Sequence, residues 1–142
     1  MPLTFEHVSK LAHSREGLRA AYAAGVDHQQ NGWLRYPPCK WDNPAILAFD
    51  DKGSCVGGIN WGEDHDDRIL SITFAWGSPD HPGALAALLS RFRRVHLTGW
   101  FTEIHFTISV HNDAMRKAVR VLGLQPKAFT YEMPVSEMKK SR

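Results

Sequence analysis

The segment 110–124, VHNDAMRKAVRVLGL, contains the signals for a short helix with a defined start and a defined end. Asn112 or Asp113 can cap the helix, because a short side-chain oxygen accepts a backbone N–H of the first turn. Gly123 predicts the end, since glycine readily adopts the left-handed conformation that closes a helix. The segment therefore predicts a helix with its own cap and terminator.

The residues before this segment predict a helix followed by a strand. Residues 102–110 alternate apolar and polar, and the apolar side chains expected on one side are Ile104, Phe106, Ile108 and Val110. Residues 84–97 have apolar residues at helical spacing, and Gly99 predicts the end of that helix. The expected apolar face comprises Leu85, Leu88, Leu89, Phe92 and Val95. The turn 77–83, GSPDHPG, leads into it.

Three strands are predicted further upstream. Residues 45–49 and 55–61 read as strands joined by the turn 50–53, which predicts a β-hairpin. Gly57 and Gly58 lie inside the second of these strands, where glycine indicates a bulge or a close backbone approach. An acidic turn over residues 62–67 then leads to a third strand over residues 68–76.

The two ends of the chain add further elements. Residues 3–8 predict a half-buried strand, and Ser14 predicts the start of a helix whose spaced residues are Leu18, Ala21, Tyr22 and Val26, with Gly25 near its end. Residues 27–44 contain prolines and the aromatics Trp33, Tyr36 and Trp41, and they predict either half-buried packing or a flap that faces a substrate. Residues 128–135 predict a last strand, and residues 136–142 predict a polar tail.

The composition indicates one globular domain. A chain of 142 residues fits a single domain, predicted over residues 1–135. The net charge of +2 gives no reason to expect nucleic-acid binding. Cys39 and Cys55 lack metal-site spacing, which suggests reduced thiols. No signal peptide and no run of roughly 18 apolar residues is visible, so we expect a soluble, cytoplasmic protein.

The predicted order β-α-(loop)-β-β-β-α-β-α-β resembles that of the acetyl-coenzyme A-dependent N-acetyltransferases (the GNAT superfamily). The resemblance is most specific where Asn112 follows a strand and Gly123-Leu124 ends the next helix, because GNAT sequences similarly have an asparagine and then a glycine-phenylalanine ending there. It implies an α/β (α+β) domain with a central, mixed, mostly antiparallel sheet flanked by helices, and acetyl-CoA as the cofactor.

The same resemblance implies a set of cofactor-binding residues. The family binds pyrophosphate on a glycine-containing turn before a helix, where free N–H groups attract an anion. That turn aligns with residues 80–85, which places His81, Gly83 and Ala84 in the site and retains Gly83 alone of the family pattern. The strand end Phe74-Ala75-Trp76 would pair with the pantetheine arm. Asn112 would hydrogen-bond the cofactor, or it would only cap its helix.

The candidate catalytic residues are fewer. Acetyl transfer needs a base for the amine and an acid for the leaving thiolate. The family's tyrosine acid falls at Val119, so Tyr131 is the other candidate acid. Glu63 in the acidic turn is a candidate base, and His111 at the mouth of the expected slot is a candidate base or acid, although each is also explained by a surface position. The cluster His65-Asp66-Asp67 fixes no coordination geometry, so no metal is predicted.

Three interpretations stay open at this point. The first is an N-acyltransferase that acts on a small-molecule or protein amine. The second is a catalytically inactive GNAT-fold binding or assembly protein, of phage or mobile-element origin for instance, which would form a homodimer through an open sheet edge. The third is an unrelated α+β fold with a ligand pocket lined by Trp33, Trp41, Trp61 and Trp76. Parallel pairing of strands 68–76 and 102–110 is the feature that separates GNAT from the third.

Overall fold

The computed structural model describes residues 2–33, 40–96, 99–121 and 123–126. The strands are β1 (Thr4–Val8), β2 (Ala45–Phe49), β3 (Cys55–Asp64), β4 (Ile69–Gly77) and β5 (Glu103–Phe106). The helices are α1 (Arg15–Gln30), α2 (Ala84–His96) and α3 (Asp113–Val121), and a short 3₁₀ turn spans Leu11–His13. The predicted order is confirmed as far as α3. The strand expected over 128–135 and the tail 136–142 lie outside the described residues.

The five strands form one sheet in the order β1-β2-β3-β4-β5. Neighbours from β1 to β4 are antiparallel, whereas β5 runs parallel to β4, with pairs from Ile69 opposite Glu103 to Ile72 opposite Phe106. The parallel pair confirms the feature that separates the GNAT topology from an unrelated fold.

The sheet has a hydrophobic cluster on each face. On one face Leu11 and Ala21 pack against Leu47, Phe74 and Trp76. On the other face α2 and α3 cover the sheet with a larger cluster that includes Trp61, Leu88, Phe92, Met115 and Val119. Trp61 and Trp76 therefore lie on opposite faces of the sheet, so the prediction of one pocket lined by four tryptophans is wrong.

A β-bulge in β4 changes the face to which its side chains point. Asn60 pairs with Phe74 and Trp61 pairs with Ile72, so Thr73 is one extra residue on β4. Before the bulge, Leu70 and Ile72 join the cluster under α2; after it, Phe74 and Trp76 join the cluster under α1. These four apolar residues alternate regularly along the sequence, so the pattern gives no sign that the buried face changes.

Helix α1 begins as predicted but ends later. The Ser14 hydroxyl oxygen accepts the N–H of Gly17 at 3.1 Å, which confirms the cap. The prediction that the helix ends near Gly25 is wrong, because it continues to Gln30. Its buried stripe is Gly17, Ala21 and Gly25, while Tyr22 and Val26 are exposed. A side chain at Gly17 would collide with Leu47, so small residues let the helix lie close to the sheet.

Two strands differ in length from the prediction. Strand β3 continues to Asp64, so Glu63 lies in a strand and not in a turn. Strand β5 ends at Phe106, four residues before the predicted end, and Val110 is exposed. The bulge at Thr73 explains the second difference, because β4 there diverges from the line along which β5 pairs with it.

Helices α2 and α3 agree closely with the helices that the sequence predicts. In α2, Leu88, Leu89 and Phe92 are buried, although Val95 is 46% exposed and does not belong to the buried face as predicted. Gly123 has φ +92° and closes α3, as predicted. Within the described part of the chain, no helix is both long enough and apolar enough to cross a bilayer.

Candidate functional site

A cleft opens between β4 and β5 where their pairing stops. The last paired residues are Ile72 and Phe106, and beyond them the two segments separate. Strands β4 and β5 are parallel and each is followed by a helix, so the N-termini of α2 and α3 lie at the same edge of the sheet. The cleft therefore ends beside two helix N-termini, which carry partial positive charge.

The walls of the cleft come from four parts of the fold. Strand β4 contributes its bulge and the next two residues, the segment after β5 contributes a polar wall, and the ends of α1 and α3 close the sides. The lining residues are Thr73, Phe74 and Ala75, then Phe106, Thr107, Ile108 and Ser109, and finally Asn112, Met115, His28 and Trp33.

The β4 edge presents backbone groups to the cleft. The N–H of Ser78 donates to Val56 O of β3 at 2.8 Å, so Ser78 faces β3. Because backbone groups alternate along a strand, those of Trp76 also face β3 and those of Ala75 face the cleft. The Trp76 indole is buried on the α1 side, stacked on Phe74 at 5.2 Å between ring centroids. Of the predicted strand-end residues, Phe74 and Ala75 line the cleft and Trp76 does not.

The first turn of α2 has free backbone donors. The N–H of Ala84 is bonded to His81 O at 2.9 Å. The N–H groups of Gly83, Leu85 and Ala86 have no partner among the described residues, as expected for the first turn of a helix. A Cβ at Gly83 would meet no atom of the described residues within 4 Å, so these residues leave the approach to the donors open.

The two residues before Pro82, Asp80 and His81, add no positive charge beside the α2 donors. His81 Nε2 lies 3.8 Å from Asp50 Oδ2, so its ring faces the β2–β3 turn and not the α2 donors. The backbone N–H of Ser54 is the main reason that the pKa of Asp50 lies below its usual value, and this keeps Asp50 charged opposite His81. Asp80 is exposed and adds a negative charge to the same turn.

Asn112 has two roles in the structure. Its Oδ1 accepts the N–H of Met115 at 3.2 Å, which confirms it as the cap of α3. Its side chain also lines the cleft, and Nδ2 has no partner among the described residues. The two alternatives of the sequence are therefore compatible, since one atom caps the helix while the other faces the cleft.

The predicted catalytic residues are not brought together. His111 is exposed beside Asn112, and its N–H bonds to Ser109 Oγ at 3.2 Å. Glu63 pairs with Leu70 of β4, about 10 Å along the strand from the bulge, and its Oε1 lies 3.7 Å from His65 Nε2. Tyr131 lies outside the described residues. Val119, at the position of the family's tyrosine, is 8% exposed and packs in the cluster under α2.

His28 is a cleft residue that the sequence pattern did not predict. It lies on the last turns of α1, beyond the end that was predicted near Gly25. Burial lowers its pKa, and the nearby Asp27 opposes that shift. The signal that could have identified His28 is its spacing, because it follows the buried Ala21 and Gly25 on the same helical face.

A buried asparagine joins the cleft to the loop before β2. Asn60 Oδ1 accepts the N–H of Lys40 at 2.9 Å and the hydroxyl of Thr73 at 2.8 Å. Its Nδ2 donates to Pro44 O at 3.0 Å and to Lys40 O at 3.2 Å. The bulge residue Thr73 is thereby tied to Lys40 and Pro44, in the last part of the substrate-flap candidate 27–44.

Comparison with solved structures supports the topology. An aminoglycoside acetyltransferase from an uncultured soil metagenomic sample is similar with a TM-score of 0.67 and 16% identity, over 94% of this chain and 99% of that one. A ribosomal-protein-alanine N-acetyltransferase from Brucella melitensis biovar Abortus 2308 gives 0.60 and 17%, with the same coverage. AAC(6')-Iy, solved with a bisubstrate analogue of CoA and acetylneamine, gives 0.58 and 17%, again over 94% and 99%. No protein-family model and no curated protein sequence matches. The chain has the fold of the GNAT N-acetyltransferases.

Proposed function

We propose that this protein transfers an acetyl group from acetyl-CoA to a primary amine of a small molecule or a protein. The observation that carries the proposal is the edge of β4 at Ala75, which faces an open cleft between two helix N-termini. An extended chain containing amide groups can add to such an edge as a strand would. Similar folds in structures described as aminoglycoside and ribosomal-protein-alanine acetyltransferases support the reaction class.

The residues of the cleft fit coenzyme A. The free N–H groups of Gly83, Leu85 and Ala86 would bind the pyrophosphate. The backbone of Ala75 would bind the pantetheine amides, and Asn112 Nδ2 would donate to the same arm. Acetyl-CoA supplies an activated thioester. Asp80 opposes an anion at this turn, and Pro82 contributes no donor.

We expect Gly83→Glu to weaken acetyl-CoA binding about tenfold relative to Gly83→Gln. The two side chains are nearly isosteric, and in the described part of the chain neither has atoms within 4 Å of its Cβ to collide with. The carboxylate adds one negative charge beside the pyrophosphate, which costs on the order of 1–2 kcal/mol at the surface of a protein. Isothermal titration calorimetry with acetyl-CoA gives the two dissociation constants.

The matched pair also controls for folding. A glutamate in the first turn stabilises a helix through its dipole, so the melting temperature of Gly83→Glu should equal or exceed that of Gly83→Gln. Equal acetyl-CoA affinity in the two variants would remove the α2 N-terminus from the site. Absence of binding by the wild type at millimolar acetyl-CoA would refute the proposed function.

A catalytically inactive GNAT-fold binding protein is the second candidate. The burial of Val119 among apolar residues favours it, because the position of the family's acid holds no titratable group. The exposed Asp80 favours it as well. Homodimerisation through a sheet edge remains a prediction attached to this candidate, and light scattering at high protein concentration tests it.

We expect Asp80→Asn to raise acetyl-CoA affinity about three- to tenfold if the cofactor binds at α2. The substitution removes the negative charge of the turn and keeps the side-chain size. The gain should shrink at high salt, since exposed charges are screened. Calorimetry at two ionic strengths measures this, and an affinity that does not change at low salt would show that Asp80 lies away from the bound phosphates.

A further inference from the structure

The inner wall of the cleft contains a histidine held between two aromatic rings. The His28 ring lies 5.2 Å from the Trp33 ring at an interplanar angle of 60°, and 5.0 Å from the Phe74 ring at 68°. The backbone gives further support, since the N–H of Trp33 donates to His28 O at 3.0 Å. These contacts fix the imidazole at the side of the cleft where β4 begins to separate from β5.

The imidazole is set to accept a proton from a molecule in the cleft. Its ring nitrogens have no hydrogen-bond partner among the described residues, and the side chain is half-buried beside the bulge residue Thr73. The other polar residues of the wall, Thr107, Ser109 and Asn112, do not titrate near neutral pH. His28 is therefore the titratable side chain that the described residues place in the cleft.

We propose that His28 is the general base of the acyl transfer, an inference that rests on the function proposed above. The amine nitrogen forms a bond to the acetyl carbon, and one of its N–H protons passes to a ring nitrogen of His28. The C–S bond of the thioester breaks with its electron pair moving to sulfur. The thiolate then takes up the proton from His28, directly or through water, which returns the imidazole to its neutral form.

The surroundings of the ring keep it neutral at physiological pH. Burial lowers the pKa of His28 below 6.5, and Asp27 on the same helix is the charged group that acts against this shift. Trp33 and Phe74, the side chains packed against the ring, carry no charge. Because the base form exists above the folded pKa, activity should fall as the pH drops through that value below 6.5.

The test compares His28→Phe with the wild type, since phenylalanine keeps an aromatic ring between Trp33 and Phe74 but has no nitrogen. Initial rates are measured from pH 5 to 9 with acetyl-CoA and two amines, benzylamine and spermidine, and acetyl-CoA binding is measured by calorimetry. We expect kcat to fall about 10²- to 10³-fold and the acid limb of the pH profile to disappear, while acetyl-CoA affinity changes less than threefold. His13→Phe, at an exposed site outside the cleft, is the control for loss of a histidine.

A readout independent of turnover is the NMR titration of the His28 ring protons, assigned by their loss in His28→Phe. We expect a pKa below 6.5 and a shift of these resonances when the amine is added to protein loaded with coenzyme A. An active wild type with unchanged kcat and acid limb in His28→Phe would overturn the role of His28 alone. If neither amine is acetylated, the NMR experiment decides, because resonances that do not respond to the amine would overturn it. A wild type that binds no acetyl-CoA refutes the proposed function, and the role of His28 with it.

Discussion

Replacement of Gly58 by alanine is expected to destabilise the protein by about 2–3 kcal/mol, the upper part of the range for overpacking a core position. A methyl group at Gly58 would overlap Cη2 and Cζ2 of the Trp76 indole and lie 3.0 Å from Leu47 Cδ2. The indole is 4% exposed and stacked on Phe74, so it has little space to move away. Urea denaturation followed by circular dichroism measures the loss.

The same strand provides a matched control. Among the residues that the structure describes, a methyl group at Gly62 would meet only Asn43 Nδ2, at 3.3 Å, and we expect Gly62→Ala to cost less than about 1 kcal/mol. The double variant Gly58→Ala/Trp76→Phe should be more stable than the sum of its single effects, since the smaller ring vacates the space that the methyl needs. Equal stability of Gly58→Ala and Gly62→Ala would contradict the close packing of Trp76 on β3.

The order of the elements could be predicted because each boundary carries a local signal. Ser14 and Asn112 are caps that satisfy backbone donors within three residues, and Gly123 needs only its own left-handed conformation. The lengths of α1 and β5 could not be predicted from such signals. Helix α1 passes Gly25 because burial against the sheet compensates for the low helix propensity of glycine. Strand β5 stops when its partner diverges, which is a property of β4.

The candidate site was predictable in its backbone and not in its side chains. Phe74, Ala75 and Asn112 line the cleft, as the resemblance to the GNAT family implied. The bulge at Thr73 depends on register between β3 and β4, for which the alternating pattern of β4 gave no signal. His28 and Trp33 enter the cleft only because α1 is longer than its glycine suggests. Helical spacing could have placed His28 on the buried face of α1, but its meeting with residues of distant segments depends on tertiary packing, which no local spacing encodes.

Asn60→Leu is expected to destabilise the protein by about 3–5 kcal/mol, since leucine has the same branching but a larger volume, and it leaves several buried groups without partners. Asn60 is fully buried, and its side chain bonds the N–H of Lys40, the carbonyl of Pro44 and the hydroxyl of Thr73. Thermal denaturation should show a fall in Tm of about 10–17 °C.

Thr73→Val removes only the hydroxyl that links the bulge to Asn60 and leaves the bonds of Asn60 to the loop before β2 in place. Valine matches threonine in shape and removes one hydroxyl, so we expect a loss of about 1 kcal/mol. The Thr73 hydroxyl also lies 2.9 Å from Asn60 O, so this bond survives in Asn60→Leu and the double variant should lose slightly less than the sum of the two single effects. Strict additivity would mean that the Asn60 side chain holds the loop before β2 independently of the bulge. Coupling of about 0.5 kcal/mol or more would show that the loop and the bulge form one unit. Asn60→Leu, measured at a low temperature at which it is folded, should then also bind acetyl-CoA more weakly than Thr73→Val.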